Sequence, residues 1–292
     1  MSISLQLCRR REIGTQRLLL PNFWGLNVTE LVETDFIEAG NGPKVILVHS
    51  SVAGARQWQG LMNALADRFH FIAVNLFGYG ATRRWSERET QTLEDQASLL
   101  APSIPDDGSK VSIVGHSFGG SVAMKAASLF KSQVDRLILI EPNPFYLLQQ
   151  NGRDEAFQEA LRLRNTIKRS GTDHTWPIAA EIFADYWTGA GSWDAMPEDR
   201  RAKFTTALEP NFHEWDSVMN ETTPLSAWQS DLPFKTTVVY AADTVRTISE
   251  IVSLMKRGIP QWQFVEIERG GHMAAMTKPD LMNPIIADAL SR

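Results

Sequence analysis

Ser117 lies in Gly115-His116-Ser117-Phe118-Gly119, a G-x-S-x-G arrangement. The aliphatic run Val111-Ser112-Ile113-Val114 precedes it, and the small-residue stretch Ser121-Val122-Ala123-Met124-Lys125-Ala126-Ala127 follows. The pattern predicts a strand, a sharp turn and a helix in that order. Such a turn strains the backbone of its central residue and needs glycines beside it, so that neighbouring chain passes without a clash. It leaves a serine hydroxyl at the C-terminal edge of a sheet. The adjoining helix start offers free N–H groups that favour a developing anion. The chemistry suited to that placement is nucleophilic attack on a carbonyl carbon.

A serine hydroxyl is a poor nucleophile at neutral pH and needs a base. Six histidines are available. His116 neighbours Ser117, but the turn should aim its side chain elsewhere. His49 ends an aliphatic run and is expected to hold the loop that follows. His70, His174 and His213 have no motif around them. His272 differs: it follows the strand-like run Gln263 to Ile267 and sits in Gly270-Gly271-His272-Met273, twenty residues from the chain end. A loop histidine freed by two glycines after the last strand can reach across the top of a sheet, so His272 is the expected base.

The elements that must position these groups read as alternating strands and helices. Short β-rich runs cover Val32 to Ile37, Val45 to Val48, Phe71 to Asn75, Val111 to Val114, Leu137 to Ile140, Thr236 to Tyr240 and Gln263 to Ile267. Several are almost wholly Val, Ile and Leu, as strands covered on both faces of a parallel sheet are. Helix-like stretches lie between them at Trp58 to Asp67, Thr92 to Ala101, Ser121 to Phe130 and Ile248 to Lys256. The alternation predicts an α/β fold with a mostly parallel sheet. It breaks between about Phe145 and Leu232, where only helices are expected: Asp154 to Ser170, Pro177 to Thr188, Glu198 to Leu208 and Asn211 to Asn220. Five of the nine tryptophans fall there: Trp176, Trp187, Trp193, Trp215 and Trp228. A connection this long is expected to have a task of its own.

Composition narrows the function classes. The chain has 292 residues, 43% hydrophobic and 22% charged, enough to bury a large core without disulfides or metal. Its 29 basic and 34 acidic residues give a formal charge of -5, which disfavours a nucleic-acid partner. The one cysteine, Cys8, excludes an intramolecular disulfide and a zinc site built from several thiolates. No apolar run approaches the ~20 residues of a membrane span. Arg9, Arg10 and Arg11 ahead of Leu18, Leu19 and Leu20 faintly suggest an export signal, but Pro21 and Asn22 end the apolar stretch too early. A cytoplasmic monomer or homodimer acting on a small molecule is the expectation.

These motifs together resemble the α/β-hydrolase family over nearly the whole chain. Val45-Ile46-Leu47-Val48-His49-Ser50-Ser51 resembles the strand and His-Gly turn that form half of that family's oxyanion hole. Asn75-Leu76-Phe77-Gly78-Tyr79-Gly80 resembles its Asp-Leu-x-Gly-x-Gly turn, Gly115 to Gly119 its nucleophile elbow, and Gly271-His272 its histidine loop. Ser50 stands where the family usually has glycine, and Asn75 where it has aspartate. The resemblance implies a hydrolase core over residues 1–144 and 233–292 and a helical cap over 145–232. It also implies an oxyanion hole of the Phe118 and Ser51 N–H groups, to which the Ser51 hydroxyl could add.

The triad acid stays open between two carboxylates. Asp243 lies three residues beyond the strand ending at Tyr240, the family's commonest location. Glu141 stands directly at the end of the strand Leu137 to Ile140, where some relatives carry their acid, and Pro142 fixes the chain's exit. Glu141 is slightly preferred, because a carboxylate at the top of a buried sheet is an odd structural choice, and because counting back from Pro260 puts the family position nearer Thr244 than Asp243. A serine nucleophile suits acyl transfer. The expected substrate is a small or medium, largely apolar ester, thioester or lactone, cleaved without metal or cofactor. Alternatives are a carbon–carbon hydrolase of a vinylogous diketone, a cofactor-free perhydrolase, or a hydrolase-fold receptor with slow turnover. Ser50, Trp58, His116, Phe145, Tyr146 and Trp187 are the expected pocket residues. Arg153, Arg162, Arg164, Lys168 and Arg169 along one insertion helix read as a solvated face.

Overall fold

The computed structural model describes residues 32–86 and 88–292. Cys8 and the Arg9 to Leu20 segment lie outside them. Seven strands form one sheet in the order β1-β3-β2-β4-β5-β6-β7. They are β1 (Phe36–Ala39), β2 (Lys44–Val48), β3 (His70–Val74), β4 (Val111–His116), β5 (Val134–Ile140), β6 (Lys235–Ala241) and β7 (Gln263–Ile267). Only β1 runs antiparallel, at the edge against β3; the other pairings are parallel. The first predicted strand starts later than expected, at Phe36 rather than Val32. Residues 45–48, 71–74 and 137–140 are buried throughout, which explains their lack of polar alternation: helices cover both faces of these strands.

The helices are α1 (Gln59–Leu65), α2 (Leu93–Ser98), α3 (Phe118–Leu129), α4 (Tyr146–Gln150), α5 (Asp154–Thr172), α6 (Trp176–Thr188), α7 (Glu198–Leu208), α8 (Asn211–Asn220), α9 (Leu225–Asp231), α10 (Arg246–Gly258), α11 (Ala274–Thr277) and α12 (Pro279–Ser291). Local chemistry sets several of these boundaries. Thr92 caps α2 by accepting from the Asp95 N–H, while the Asp95 carboxylate accepts from the Thr92 N–H. Helices α4 to α9 all fall between β5 and β6. Their apolar faces join the core that covers one side of the sheet. The other side is packed by α1 and α12 through Leu61, Met62, Met282 and Ile286. No helix among the described residues is long and apolar enough to cross a membrane.

Candidate active site

The β4–α3 turn carries the nucleophile candidate. Ser117 has φ 54° and ψ −119°, a left-handed conformation costly for a residue with a Cβ. Its N–H donates to the Ile140 carbonyl at 2.9 Å, which ties the turn to the end of β5. The flanking glycines are sterically required. A Cβ on Gly115 would lie 2.2 Å from the Gly119 carbonyl oxygen, and one on Gly119 would lie 2.4 Å from the Val48 and His49 carbonyl oxygens.

Three side chains line up on this turn. Ser117 Oγ lies 2.8 Å from His272 Nε2. His272 Nδ1 lies 3.1 Å from Glu141 Oε2. All three groups are at least 95% buried. Glu141 also has a positive φ, 49°. Its Oε1 accepts from the Ala241 N–H at 2.6 Å, and its Oε2 accepts from the Thr244 hydroxyl. These donors satisfy a carboxylate that burial would otherwise penalise.

Asp243 has a different position. It is exposed and accepts from the N–H groups of Gly270 and Gly271, at 3.0 and 2.8 Å. The Gly271 N–H is the largest influence holding its carboxyl below the usual range. Asp243 therefore anchors the backbone of the histidine loop, while the imidazole Nδ1 pairs with Glu141. His116 is a second anchor. Its Nδ1 accepts from Gln57 Nε2 at 3.1 Å, so its Nε2–H donates to the His272 carbonyl at 2.9 Å. Burial, with His272 nearby, lowers its pKa to about 3, which keeps it neutral in that role.

The loop after β2 faces the turn. Among the described residues, no hydrogen-bond partner is found for the backbone N–H of Ser51 or Phe118, and both residues line the cavity. The Ser51 hydroxyl is engaged: it donates to Glu214 Oε2 at 2.5 Å. That departs from the expectation that it could add to an oxyanion hole, because its proton already points at a buried carboxylate. Glu214 also accepts from Tyr79 OH at 2.8 Å and from Asn211 Nδ2 at 2.7 Å. Sequence reasoning missed Glu214, Tyr79, Gln57 and Thr244. Two carried a signal: Tyr79 lies in the Asn75-to-Gly80 turn, though nothing there pointed to its hydroxyl, and Thr244 is the position nearest the family's usual acid.

Above these groups lies a cavity of about 670 Å³. Phe145, Phe183, Trp187 and Trp215 form much of its apolar wall. Phe145 and Trp215 stack with ring centroids 5.1 Å apart, and Trp187 lies over His272 at 4.2 Å. Of the expected pocket residues, Ser50, Phe145 and Trp187 line it. Trp58, His116 and Tyr146 do not. Trp58 packs on the opposite side of the sheet, His116 lies behind the histidine loop, and Tyr146 donates to the Thr223 carbonyl while accepting from Trp228. Arg164 and Lys168 pair with Asp216 of α8 rather than facing the cavity. The cations that reach its lining are Arg200 and Lys203 of α7. Among the described residues, no group of three or more His, Cys, Asp or Glu side chains is arranged to hold a metal ion.

A sheet of this topology with a strained serine at the β4–α3 turn defines a class. The family model described as the alpha/beta hydrolase family matches residues 45–284. The chain belongs to that family. It is similar to a 2-hydroxy-6-oxo-6-(2'-aminophenyl)hexa-2,4-dienoic acid hydrolase of Metapseudomonas resinovorans, 34% identical over 37% of this chain and 39% of that protein. It is also similar to a pimeloyl-[acyl-carrier protein] methyl ester esterase of Nitrosospira multiformis, 22% identical over 82% of this chain and 92% of that protein. Several of the curated relatives it matches are spanned over only 38% to 40% of their length. Among solved structures, the enol-lactonase of Burkholderia xenovorans LB400 aligns with a TM-score of 0.67 at 13% identity, over 89% of this chain and 97% of that one.

Proposed function

We propose that the chain is a serine hydrolase that cleaves a small or medium, largely apolar ester, thioester or lactone through an acyl-enzyme. One observation carries the reading: Ser117 Oγ, His272 and Glu141 form a continuous hydrogen-bonded series at the floor of an apolar cavity. Ser117 Oγ attacks the substrate carbonyl while its proton passes to His272 Nε2. The oxyanion is held by the Phe118 and Ser51 N–H groups. As the tetrahedral intermediate collapses, the bond to the leaving group breaks and His272 returns the proton to that group. A water then gives its proton to His272 and attacks the acyl carbon. The second collapse frees the acid and regenerates the Ser117 hydroxyl.

Glu141 is the acid in this scheme. Its contact with Nδ1 holds the imidazole in the tautomer that leaves Nε2 free to accept, and its charge stabilises the imidazolium. Thr244 and the Ala241 N–H fix the carboxylate, and Asp243 positions the loop. The helices between β5 and β6 act as the cap that shapes the acyl pocket. Relatives named as a methyl ester esterase and a dienoic acid hydrolase fit the same acyl chemistry.

The test is hydrolysis of p-nitrophenyl esters over a chain-length series, with Ser117→Ala alongside. Turnover that disappears in the variant supports the reading. A parent protein that hydrolyses no ester, thioester or lactone overturns it.

A further inference from the structure

We infer that Glu214 is a positioning residue: from the helical insertion it fixes the loop whose Ser51 N–H completes the oxyanion hole. The inference rests on the serine-hydrolase reading above. It starts from an outlier. Val52 has φ 71°, a region that a β-branched residue adopts only when its surroundings force it. Four non-glycine residues among those described have positive φ: Val52, Ser117, Glu141 and His174. Two of the other three are the proposed nucleophile and acid, so strain gathers at the site and Val52 shares in it.

The surroundings that hold Val52 are specific. Its N–H donates to Tyr79 OH at 2.9 Å, and Tyr79 OH donates to Glu214 Oε1 at 2.8 Å. The residue before it is tied to the same carboxylate, because Ser51 Oγ donates to Glu214 Oε2. Two consecutive loop residues thus hang on one buried group. The plane of the Ser50–Ser51 peptide is fixed from its other side as well: the Ser50 carbonyl accepts from His49 Nδ1 at 2.7 Å and from the Ala53 N–H at 3.3 Å. That plane sets the direction of the Ser51 N–H.

Glu214 suits the task. It is 1% exposed, and the bonds it makes come from Ser51, Tyr79 and Asn211. Hydroxyl and amide donors converge on an acceptor-only carboxylate. An apolar side chain would fill the same space without the desolvation penalty, so a stabilising role alone does not call for a carboxylate here. The helix carrying it is also seated on the Tyr79 turn. A Cβ on Gly78 would lie 2.7 Å from Pro210 Cγ, so backbone and helix start approach as closely as glycine permits. The hole and the helical insertion are therefore assembled as one unit.

The test uses Glu214→Gln, Tyr79→Phe and the double variant Glu214→Gln/Val52→Gly, with melting temperatures to check the fold. Two readouts are taken: kcat and KM on the p-nitrophenyl ester the parent prefers, and the rate at which a fluorophosphonate labels Ser117. Glu214→Gln is expected to lower kcat and labelling about tenfold to a hundredfold, up to the lower end of the loss for a deleted oxyanion donor because the Ser51 N–H is misdirected and not removed, with KM within about threefold. Tyr79→Phe should lose less, in the same direction, and it carries the test if Glu214→Gln does not fold. Adding Val52→Gly should restore several-fold of the lost kcat, since glycine adopts positive φ without being held there. A purely structural role would give no such rescue. Parental kcat in both folded single variants, or no rescue, overturns the inference and leaves the serine-hydrolase reading standing. A parent in which Ser117 neither turns over esters nor takes the label removes that reading, and this inference with it.

Discussion

The carboxyl edge of the sheet and the helical insertion serve one cavity in different ways. At the sheet edge, the ends of β4, β5 and β7 bring Ser117, Glu141 and His272 together from segments 24 and 131 residues apart in sequence. Strained backbone at Ser117 and Glu141 and one backbone donor of β6, the Ala241 N–H, hold them. In the insertion, position comes from helix packing. Phe183, Trp187 and Trp215 form an apolar wall, and one buried carboxylate, Glu214, reaches back to the loop after β2. On the proposed reading, the sheet edge holds the reacting groups in register, while the insertion shapes what they act on and braces the facing loop. Substitutions at the edge should cost rate, and substitutions in the insertion should change selectivity or loop geometry.

The largest effect should come from the edge. Ser117→Ala or His272→Ala should lower kcat on a p-nitrophenyl ester at least about 10³-fold with little change in melting temperature. The two carboxylates come next, compared in the same assay. Glu141→Gln should lose about 10²-fold to 10⁴-fold, because the imidazole loses its orienting partner. Asp243→Asn should lose less than about tenfold, since it only loosens the Gly270-Gly271 loop. Equal losses would erase the distinction between orienting the ring and anchoring the loop.

The insertion should respond differently. Phe183→Ala enlarges the cavity and should move the preferred acyl chain to a longer length, read from kcat/KM across the ester series, at a cost of about 3–5 kcal/mol in stability. An unchanged chain-length profile would remove this helix from the acyl pocket.

The remaining effect concerns pH and leaves the catalytic groups untouched. Burial lowers the His49 pKa to about 4 and, with His272 nearby, the His116 pKa to about 3, from the ordinary 6.5. The unfolded chain binds more protons than the folded one between those values. The stability these two neutral histidines contribute is therefore full above about pH 6.5 and falls as the pH drops toward 4, by up to ~1.4 kcal/mol per pH unit per group. Urea unfolding across that range should show the slope, and His116→Gln should make it shallower.

Much of the sheet edge was legible in the sequence because its signals are local. Aliphatic runs mark buried parallel strands, and glycines at fixed offsets mark the turns. All seven predicted strands appear, and the four helices predicted in the insertion match α5 to α8 to within two residues at either end, while the short α4 and α9 were not predicted. Helix α12 had no such signal, since Pro284 inside it interrupts the pattern. The choice between Glu141 and Asp243 stayed open because it depends on where the histidine ring comes to rest, which spacing does not encode. Trp58 was expected at the pocket because it follows the loop after β2, but nearness in sequence does not say which face of the sheet a helix covers. Glu214 was unreadable for a related reason: its partners Ser51 and Tyr79 lie 163 and 135 residues away.

The central claim is that the acyl group passes through Ser117. The direct measurement is a peptide map of the parent protein, acid-quenched during turnover of p-nitrophenyl butyrate, with Ser117→Ala treated alongside. A butyryl group on the peptide bearing Ser117, and loss of both adduct and turnover in the variant, is the expected result. A butyryl group on another residue, or undiminished turnover in Ser117→Ala, would contradict it.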